Sequence, residues 1–237
     1  MAGLLEVTVW HGEDVLGAQE GGADRLLLVA PAEDDIGLSP DVPTVSAILR
    51  SCSVPVRVCL RLNDSFTTTG GEFTRLIGLG EEFLALGAEG LVFGFLNPFL
   101  EIDTDTCSAL AKALPGVPWT FHRAFDAALD SRRAWLRVQE LPGLTSVHSG
   151  GSPLGLGRGY DDLLTLAEAA PRTAHLLTAS GGLTAEQVTW FARAGVTQFH
   201  VAEQVRPPGG ATAYVDASLV RSWRLLVASA TERSRPA

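Results

Sequence analysis

Eight short apolar segments recur along the chain, and a stretch of helical periodicity follows each of them. The predicted strands cover residues 4–9, 25–29, 56–61, 91–94, 144–148, 175–179 and 197–201, with one more that begins at residue 119. One unit per roughly 30 residues is typical of a (β/α)8 barrel, which needs roughly 250 residues. A doubly wound open sheet is the competing fold, but no G-x-G-x-x-G motif follows the first strand. The sequence therefore predicts one α/β domain over residues 1–237, a (β/α)8 barrel with a last helix at 216–230.

The net charge and the cysteine content of the chain disfavour several classes of function. The formal net charge of −9 opposes binding to nucleic acid or to an anionic membrane, although it is compatible with a local basic pocket for an anionic metabolite. The three cysteines, Cys52, Cys59 and Cys107, lie far apart without C-x-x-C spacing, which is typical of buried thiols in a reduced protein. No secretory leader precedes the first strand and no apolar run is long enough to span a membrane, so we expect a cytoplasmic protein.

The stretch from residue 119 to residue 126 combines a strand pattern with three chemically versatile side chains. An imidazole, a guanidinium and a carboxylate (His122, Arg123 and Asp126) follow one another where the strand should end. The carboxyl ends of parallel strands face the ligand site in such folds. Neighbouring residues on a strand point to opposite faces, so we expect His122 to face the mouth. Asp126 would then pair with Arg123 or cap the next turn.

Other strand ends add polar side chains to the same predicted mouth. These residues are Glu6, Arg61, His122, Arg123, His148 and His200. The loops after strands six and seven carry Ser149-Gly150-Gly151 and Ser180-Gly181-Gly182, and such loops offer backbone N–H groups to phosphates in many barrels. Together with Arg61 and Arg123, they predict a pocket for a small anionic molecule. Ordinary turns are the commoner explanation of such glycine pairs, and Glu6 is equally compatible with a structural ion pair to Arg61 or Arg123.

Five segments of the chain resemble, in sequence and in order, those of a known family. They are LLEV at 4–7, AQEGGADR at 18–25, GLSP at 37–40, GLVFG at 90–94 and TFHRAFD at 120–126. The family is CutC, whose members carry the name copper homeostasis protein, and the resemblance covers roughly residues 4–205. It implies a TIM barrel, in agreement with the repeat of strands and helices, and a role in copper homeostasis.

The chain departs from the CutC pattern at positions that bear on copper. Where family members usually have cysteines, in the first strand and at the end of the second, it has Thr8 and Val29. The family's Arg-Pro-Arg-Gly-Gly-Asp-Phe segment becomes RLNDSF at 61–66, and a histidine is added at His148. Soft Cu(I) selects thiolate and thioether ligands, and Met1 is the only methionine. The resemblance implies copper as a cofactor or cargo, whereas these replacements favour an organic ligand.

The leading hypothesis is a pocket for a small anionic molecule at the barrel mouth, and it leaves open whether the chain is an enzyme. In this hypothesis His122 is a general acid or base, assisted by the carboxylates of Glu6 and Asp126, while Arg61 and Arg123 clamp the anion. The residues expected to bind the ligand are Arg61, Arg123, Ser149, Gly150, Gly181, Gly182 and His200.

Two alternatives belong to other classes of function. A non-catalytic copper or zinc protein would use His122, His148 and His200, although no H-x-H or H-x-x-x-H spacing fixes any two of them together. Separate hydrogen-bonded histidines explain the same residues. A barrel that has lost its activity and serves as an interaction scaffold is the second alternative, and assembly into a homo-oligomer is left open.

Overall fold

The computed structural model describes residues 3–32, 36–207 and 213–234, and its centre is a closed barrel of eight parallel strands in the order β1 to β8. The strands are β1 (Leu4–Val9), β2 (Arg25–Leu28), β3 (Val56–Cys59), β4 (Gly90–Phe93), β5 (Trp119–Phe121), β6 (Leu144–Ser149), β7 (Leu177–Ala179) and β8 (Gln198–Val201). Strand β8 pairs with β1 and closes the ring. The predicted (β/α)8 fold is confirmed.

Nine helices accompany these strands in the described part of the chain. They are α1 (Gly12–Gly21), α2 (Val42–Ser51), α3 (Gly70–Ala85), α4 (Thr104–Ala113), α5 (Ser131–Val138), α6 (Leu156–Ala169), α7 (Pro171–Leu176), α8 (Ala185–Arg193) and α9 (Ala217–Arg233). Two short 3-10 helices follow β5 and β8, at Arg123–Ala127 and Glu203–Val205. No helix among residues 3–32, 36–207 and 213–234 is long and apolar enough to cross a membrane.

Side chains alternate between the two faces of each strand, so the molecule has one buried region inside the barrel and another between the barrel and its helices. On β1 the odd-numbered residues Leu5, Val7 and Val9 are fully buried in the apolar layer between barrel and helices. The even-numbered residues Glu6 and Thr8 therefore point into the barrel, because side chains alternate between the two faces of a strand. The interior has a small apolar cluster of its own, Leu27, Val29, Cys59 and Val92. Most other inward positions are polar, and this polar interior is the unusual feature of the fold.

Two details, at the start of β7 and at the end of β5, differ from the sequence prediction. The seventh strand begins at Leu177, because His175 lies in the additional helix α7. The fifth strand ends at Phe121, so the alternation expected for His122 and Arg123 does not apply. Instead, His122 caps a 3-10 helix that begins at Arg123, and the Nδ1 atom of His122 accepts a hydrogen bond of 3.2 Å from the backbone N–H of Ala124.

Candidate functional site

A buried carboxylate with two partners lies inside the barrel. The Oε2 atom of Glu6 accepts a hydrogen bond of 2.5 Å from Nε of Arg25, and its Oε1 atom lies 2.7 Å from Nε2 of His148. Strand pairing explains the first contact, since Glu6 is opposite Arg25 in the register of β1 and β2. Burial alone would raise the pKa of Glu6, but the charges of Arg25 and His148 outweigh it and hold that pKa well below its usual range. Glu6 is therefore an anion in the folded protein.

These contacts correct the expected surroundings of Glu6. Its ion-pair partner is Arg25, at the start of β2, and not Arg61 or Arg123 as the sequence suggested. The side chain is fully buried, at 0% exposure, below the mouth of the barrel. Arg25 was missed because it stands at the amino end of its strand, away from the predicted site.

His200 connects this buried pair to the mouth. It is opposite Glu6 in the register of β1 and β8, and its ring centroid lies 4.9 Å from that of His148. Its Nε2 atom shares a hydrogen bond of 2.6 Å with Oγ1 of Thr8. Burial, together with the electrostatic effect of His148, lowers the pKa of His200 to about 3, so the imidazole is neutral at physiological pH. A neutral ring can both donate and accept a hydrogen bond.

A cavity of about 570 Å³ opens at the carboxyl ends of the strands, above His200. It is lined by Thr8, Trp10, His11, Val29, Pro31, Ala32, Ile36, Gly37, Arg123, Leu154, Gly155, Gly181, Gly182, His200, Ala202, Glu203 and Gln204. Its volume is in the range of small-molecule sites. Of the residues predicted to bind a ligand, the cavity brings together Arg123, Gly181, Gly182 and His200.

Arg123 is held in the wall of this cavity by several contacts. Its Nε atom donates to Oδ2 of Asp126 at 3.0 Å, as the sequence suggested, and its Nη2 atom donates to the carbonyls of Ser152 and Pro153 at 3.4 and 3.2 Å. Asp126 also accepts from Oγ of Ser149 and from the N–H of Gly150, at 2.6 and 2.9 Å. Burial raises the pKa of Asp126 despite these donors. Ser149 and Gly150 thus fix Arg123 through Asp126 and do not line the cavity.

The glycine pair after β7 lies directly against Arg123. A Cβ atom on Gly181 would be 2.7 Å from Cζ of Arg123, so only glycine permits this approach. Gly181 and Gly182 have φ angles of 81° and 82°, in the left-handed region that favours glycine. Within the described residues, neither of their N–H groups donates to a protein acceptor. Gly181, Gly182 and Arg123 all line the same cavity.

Arg61 and His122 lie outside the cavity lining. The guanidinium of Arg61 donates to the carbonyls of Gly37 and Asp64, at 3.2 and 2.7 Å, and stands over the ring of Phe66. It stabilises the loops that follow β2 and β3. His122 is buried beside the ring of Phe66, and it is Arg123 rather than His122 that reaches the cavity.

Trp10, Asp14 and Arg206 form a further group that the sequence analysis missed. Arg206 donates to Oδ1 and Oδ2 of Asp14, at 2.8 and 3.0 Å, and its Cζ atom lies 3.7 Å from the ring centroid of Trp10. Asp14 also accepts from the N–H of Trp10 at 2.8 Å. Burial raises the pKa of Asp14, but the hydrogen bonds from Arg206 outweigh this effect and lower that pKa. An acidic residue in the first turn of a helix resembles an ordinary cap in sequence, which hides this role.

The predicted metal ligands are only partly brought together. His148 and His200 are neighbours, whereas His122 contacts the aromatic rings of Phe66 and Phe121. Across residues 3–32, 36–207 and 213–234, no three side chains of His, Cys, Asp or Glu are arranged to hold a metal ion.

Comparison with known proteins places the chain in a family. A family model described as the CutC family matches residues 3–205. The chain belongs to the CutC family. A curated relative, the family protein CutC of Enterobacter sp. (strain 638), is 28% identical over 198 residues, which are 83% of this chain and 78% of that protein. The matched range includes all eight strands and the whole cavity lining, while α9 lies beyond it.

Solved structures share the fold of this CutC family member. CutC of Streptococcus agalactiae, which carries the name copper homeostasis protein, matches with a TM-score of 0.72 at 23% identity, covering 84% of this chain and 98% of that one. A phosphoribosyl anthranilate isomerase from Thermococcus kodakaraensis matches with a TM-score of 0.62 at 16% identity, covering 95% and 98%. At these identities the likeness shows the barrel fold alone.

Proposed function

We propose that this CutC family member binds a small organic anion in the cavity at the mouth of its barrel. One observation carries the proposal. The guanidinium of Arg123 lies against Gly181 in the cavity wall, beside the N–H groups of Gly181 and Gly182, which donate to no protein acceptor in the described residues. A fixed cation beside backbone donors is the arrangement that proteins use for phosphates and carboxylates.

The position of these groups in the barrel supports the same reading. The loops after strands seven and eight form the phosphate site in many barrels of this fold. Here those loops supply Gly181, Gly182, Ala202 and Gln204 to the cavity. Asp126 neutralises part of the charge of Arg123 and also fixes the direction of its guanidinium. The backbone donors then contribute the remaining attraction for an anion.

His200 is the cavity residue that we assign to hydrogen bonding with the ligand. Glu6 and His122, the acid–base candidates from the sequence, do not line the cavity, whereas His200 does. The Glu6 carboxylate lies behind it, through His148, and Thr8 fixes the orientation of its ring. In this arrangement Glu6 and His148 are positioning residues, and the neutral ring of His200 offers a hydrogen bond to the ligand.

The side chains of this chain do not fit the copper role that the name of its Streptococcus agalactiae relative carries. Soft Cu(I) requires thiolate or thioether ligands. Cys59 belongs to the apolar cluster inside the barrel, and burial raises the pKa of Cys107 to about 12, which disfavours its thiolate. Thr8 and Val29 border the cavity at the positions where the resemblance places cysteines.

The test is a calorimetric titration of methyl phosphate into the protein and two variants of Arg123. We expect Arg123→Met to weaken binding by about ten- to a hundredfold, because charge-assisted hydrogen bonds contribute roughly 1.5–3 kcal/mol. Arg123→Lys should lose less, since it keeps the charge and loses the planar fork. Arg158→Met, which removes an exposed arginine from α6, is the matched control and should bind like the parent. Equal affinities in all four proteins would contradict the proposal.

A further inference from the structure

We propose that the ligand is an aromatic anion, whose flat apolar ring packs against Trp10 while its anionic group binds beside Arg123. This inference rests on the proposed function and adds the chemical class of the ligand. The cavity wall supports it, because an inorganic anion would occupy only the polar part of a space of about 570 Å³.

The two kinds of lining residue come from different parts of the barrel. The loops after β1 and β2 contribute mostly apolar side chains, namely Trp10, Val29, Pro31, Ala32 and Ile36. The polar groups at Arg123, Gly181, Gly182 and His200 follow β5 or β7 or belong to β8. Strands β1 and β2 are neighbours in the closed ring, β5 is on the far side of it, and β8, which carries His200, adjoins β1. The cavity therefore has an apolar side and a polar side, as an amphipathic ligand requires.

Trp10 is the largest apolar side chain of that wall, and it is held in place from behind. The guanidinium of Arg206 covers one face of the ring at 3.7 Å and is itself fixed by both carboxylate oxygens of Asp14. Further hydrogen bonds run from Arg206 to the carbonyls of Thr8 and Ala213, at 3.2 and 2.8 Å. The ring is thus oriented before a ligand arrives, so binding loses little side-chain entropy.

The cation behind Trp10 also selects the charge of the ligand. A ring attracts a cation through the negative potential of its face. Arg206 draws on that potential from one side, which leaves the ring a poorer partner for a second cation. A neutral or electron-rich ring packs there by apolar burial and by offset or edge contacts. With Arg123 at the polar side, the preferred ligand is an aryl phosphate, aryl carboxylate or similar aromatic anion.

The experiment compares two probes that share one anionic group. Methyl phosphate and phenyl phosphate are both phosphate monoesters, and they differ in the ring. We expect phenyl phosphate to bind the unmodified protein about tenfold more tightly or better, because burial of a phenyl ring stabilises a complex by this order. Dissociation constants from calorimetry at one pH and one ionic strength give the ratio between the two probes.

Three variants assign this ratio to Trp10. Trp10→Leu should reduce the ratio to near one while methyl phosphate still binds, and Trp10→Phe should retain part of it. The matched control is Trp190→Leu, because Trp190 also lies under an arginine, with Cζ of Arg193 at 4.8 Å, but on α8 outside the cavity. This control should keep the full ratio. Circular dichroism verifies the fold of each variant.

The outcomes separate this inference from the proposed function. Binding of methyl phosphate without any gain from the phenyl ring would overturn the aromatic assignment and leave the anion site in place. An unchanged ratio in folded Trp10→Leu would overturn it too. An equal loss of affinity for both probes in that variant would also overturn it, because Trp10 would then stabilise the mouth of the barrel without contacting the ring of the ligand. If neither probe binds the unmodified protein, both proposals are wrong.

Discussion

Glu6 shows how a single inward position determines the character of this barrel. Interiors of this fold are usually filled by branched apolar side chains, but here a fully buried carboxylate is paired with Arg25 and His148. Removal of two charges from water is costly, and their attraction offsets that cost only while both partners remain. The arrangement is therefore sensitive to the loss of either charge.

Replacement of Glu6 measures this sensitivity. We expect Glu6→Gln to lower the free energy of unfolding by about 3–5 kcal/mol, because the substitution leaves Arg25 as an uncompensated buried charge. The control is Glu101→Gln at the pair of Arg133 and Glu101, where both side chains are exposed, at 55% and 41%, and we expect a loss below about 1 kcal/mol. Urea denaturation of both variants gives the two values. Similar losses for the two would contradict the role assigned to burial.

The sequence identified Glu6 as anomalous but could not identify its partner. A carboxylate in an apolar strand stands out in any reading of the chain, because its burial is costly. The choice of partner depends on strand register, which sets Glu6 opposite both Arg25 and His200. The register of two neighbouring strands in a closed barrel depends on the stagger of all its strands. A local sequence pattern therefore does not predict it.

At the scale of elements, the glycine-rich segment after β6 has a structural explanation that its sequence only hinted at. Helix α6 crosses this loop closely, and a Cβ atom on Gly159 would lie 2.2 Å from the carbonyl oxygen of Gly150. The same loop supplies the carbonyls of Ser152 and Pro153 that contact Arg123. Packing of one helix thus fixes one wall of the cavity.

Two glycines of α6 provide a matched test of that packing. Gly159→Ala should destabilise the protein by about 1–3 kcal/mol, because its methyl group has no space against the β6 loop. Gly157→Ala should be neutral or stabilise it by up to about 1 kcal/mol, since a Cβ atom there meets nothing within 4 Å. Thermal unfolding compares the two. We also expect Gly159→Ala to weaken the binding of methyl phosphate; unchanged stability and affinity would show that the loop adapts.

The elements themselves were predictable to different degrees. Long helices and apolar strands have periodic patterns, and these predicted the order of the strands and of the helices other than α7 correctly. The errors occur where a strand passes into another element within one or two residues, as at Phe121 and at His175. There, hydrogen bonds of the following turn decide the conformation, and they override the two-residue alternation. For this reason Arg123, and not His122, reaches the cavity.

For the whole molecule, the repeat of strands and helices was sufficient to predict the barrel, whereas the cavity was not predictable in detail. The barrel follows from a pattern repeated eight times, so an error in one unit does not alter the result. The cavity depends on segments after β1, β2, β5, β6, β7 and β8, whose conformations rest on single contacts such as that between Gly181 and Arg123. Composition of a loop indicates a turn, but not what the turn faces.

The polar interior also makes the stability of the whole molecule dependent on pH. The folded pKa of His200 is about 3, below its ordinary value of 6.5, so between these values the unfolded chain binds a proton that the native protein excludes. Acidification therefore lowers the free energy of unfolding, and at about pH 5 the loss due to His200 should be about 2 kcal/mol. Glu6, whose pKa is also lowered, adds a loss in the same direction only below its ordinary value of 4.5. Asp126, whose pKa is raised, acts in the opposite direction.

A variant of His200 isolates its share of this pH dependence. Urea denaturation of His200→Gln at about pH 7.5 and about pH 5 should show a smaller fall in the free energy of unfolding than the unmodified protein, by about 2 kcal/mol. The difference between the two proteins cancels the contributions of Glu6 and Asp126. His175→Gln, at an exposed histidine of α7, is the matched control and should retain the full fall. If His200→Gln loses as much stability on acidification as the control does, His200 is not held neutral by its buried position beside His148.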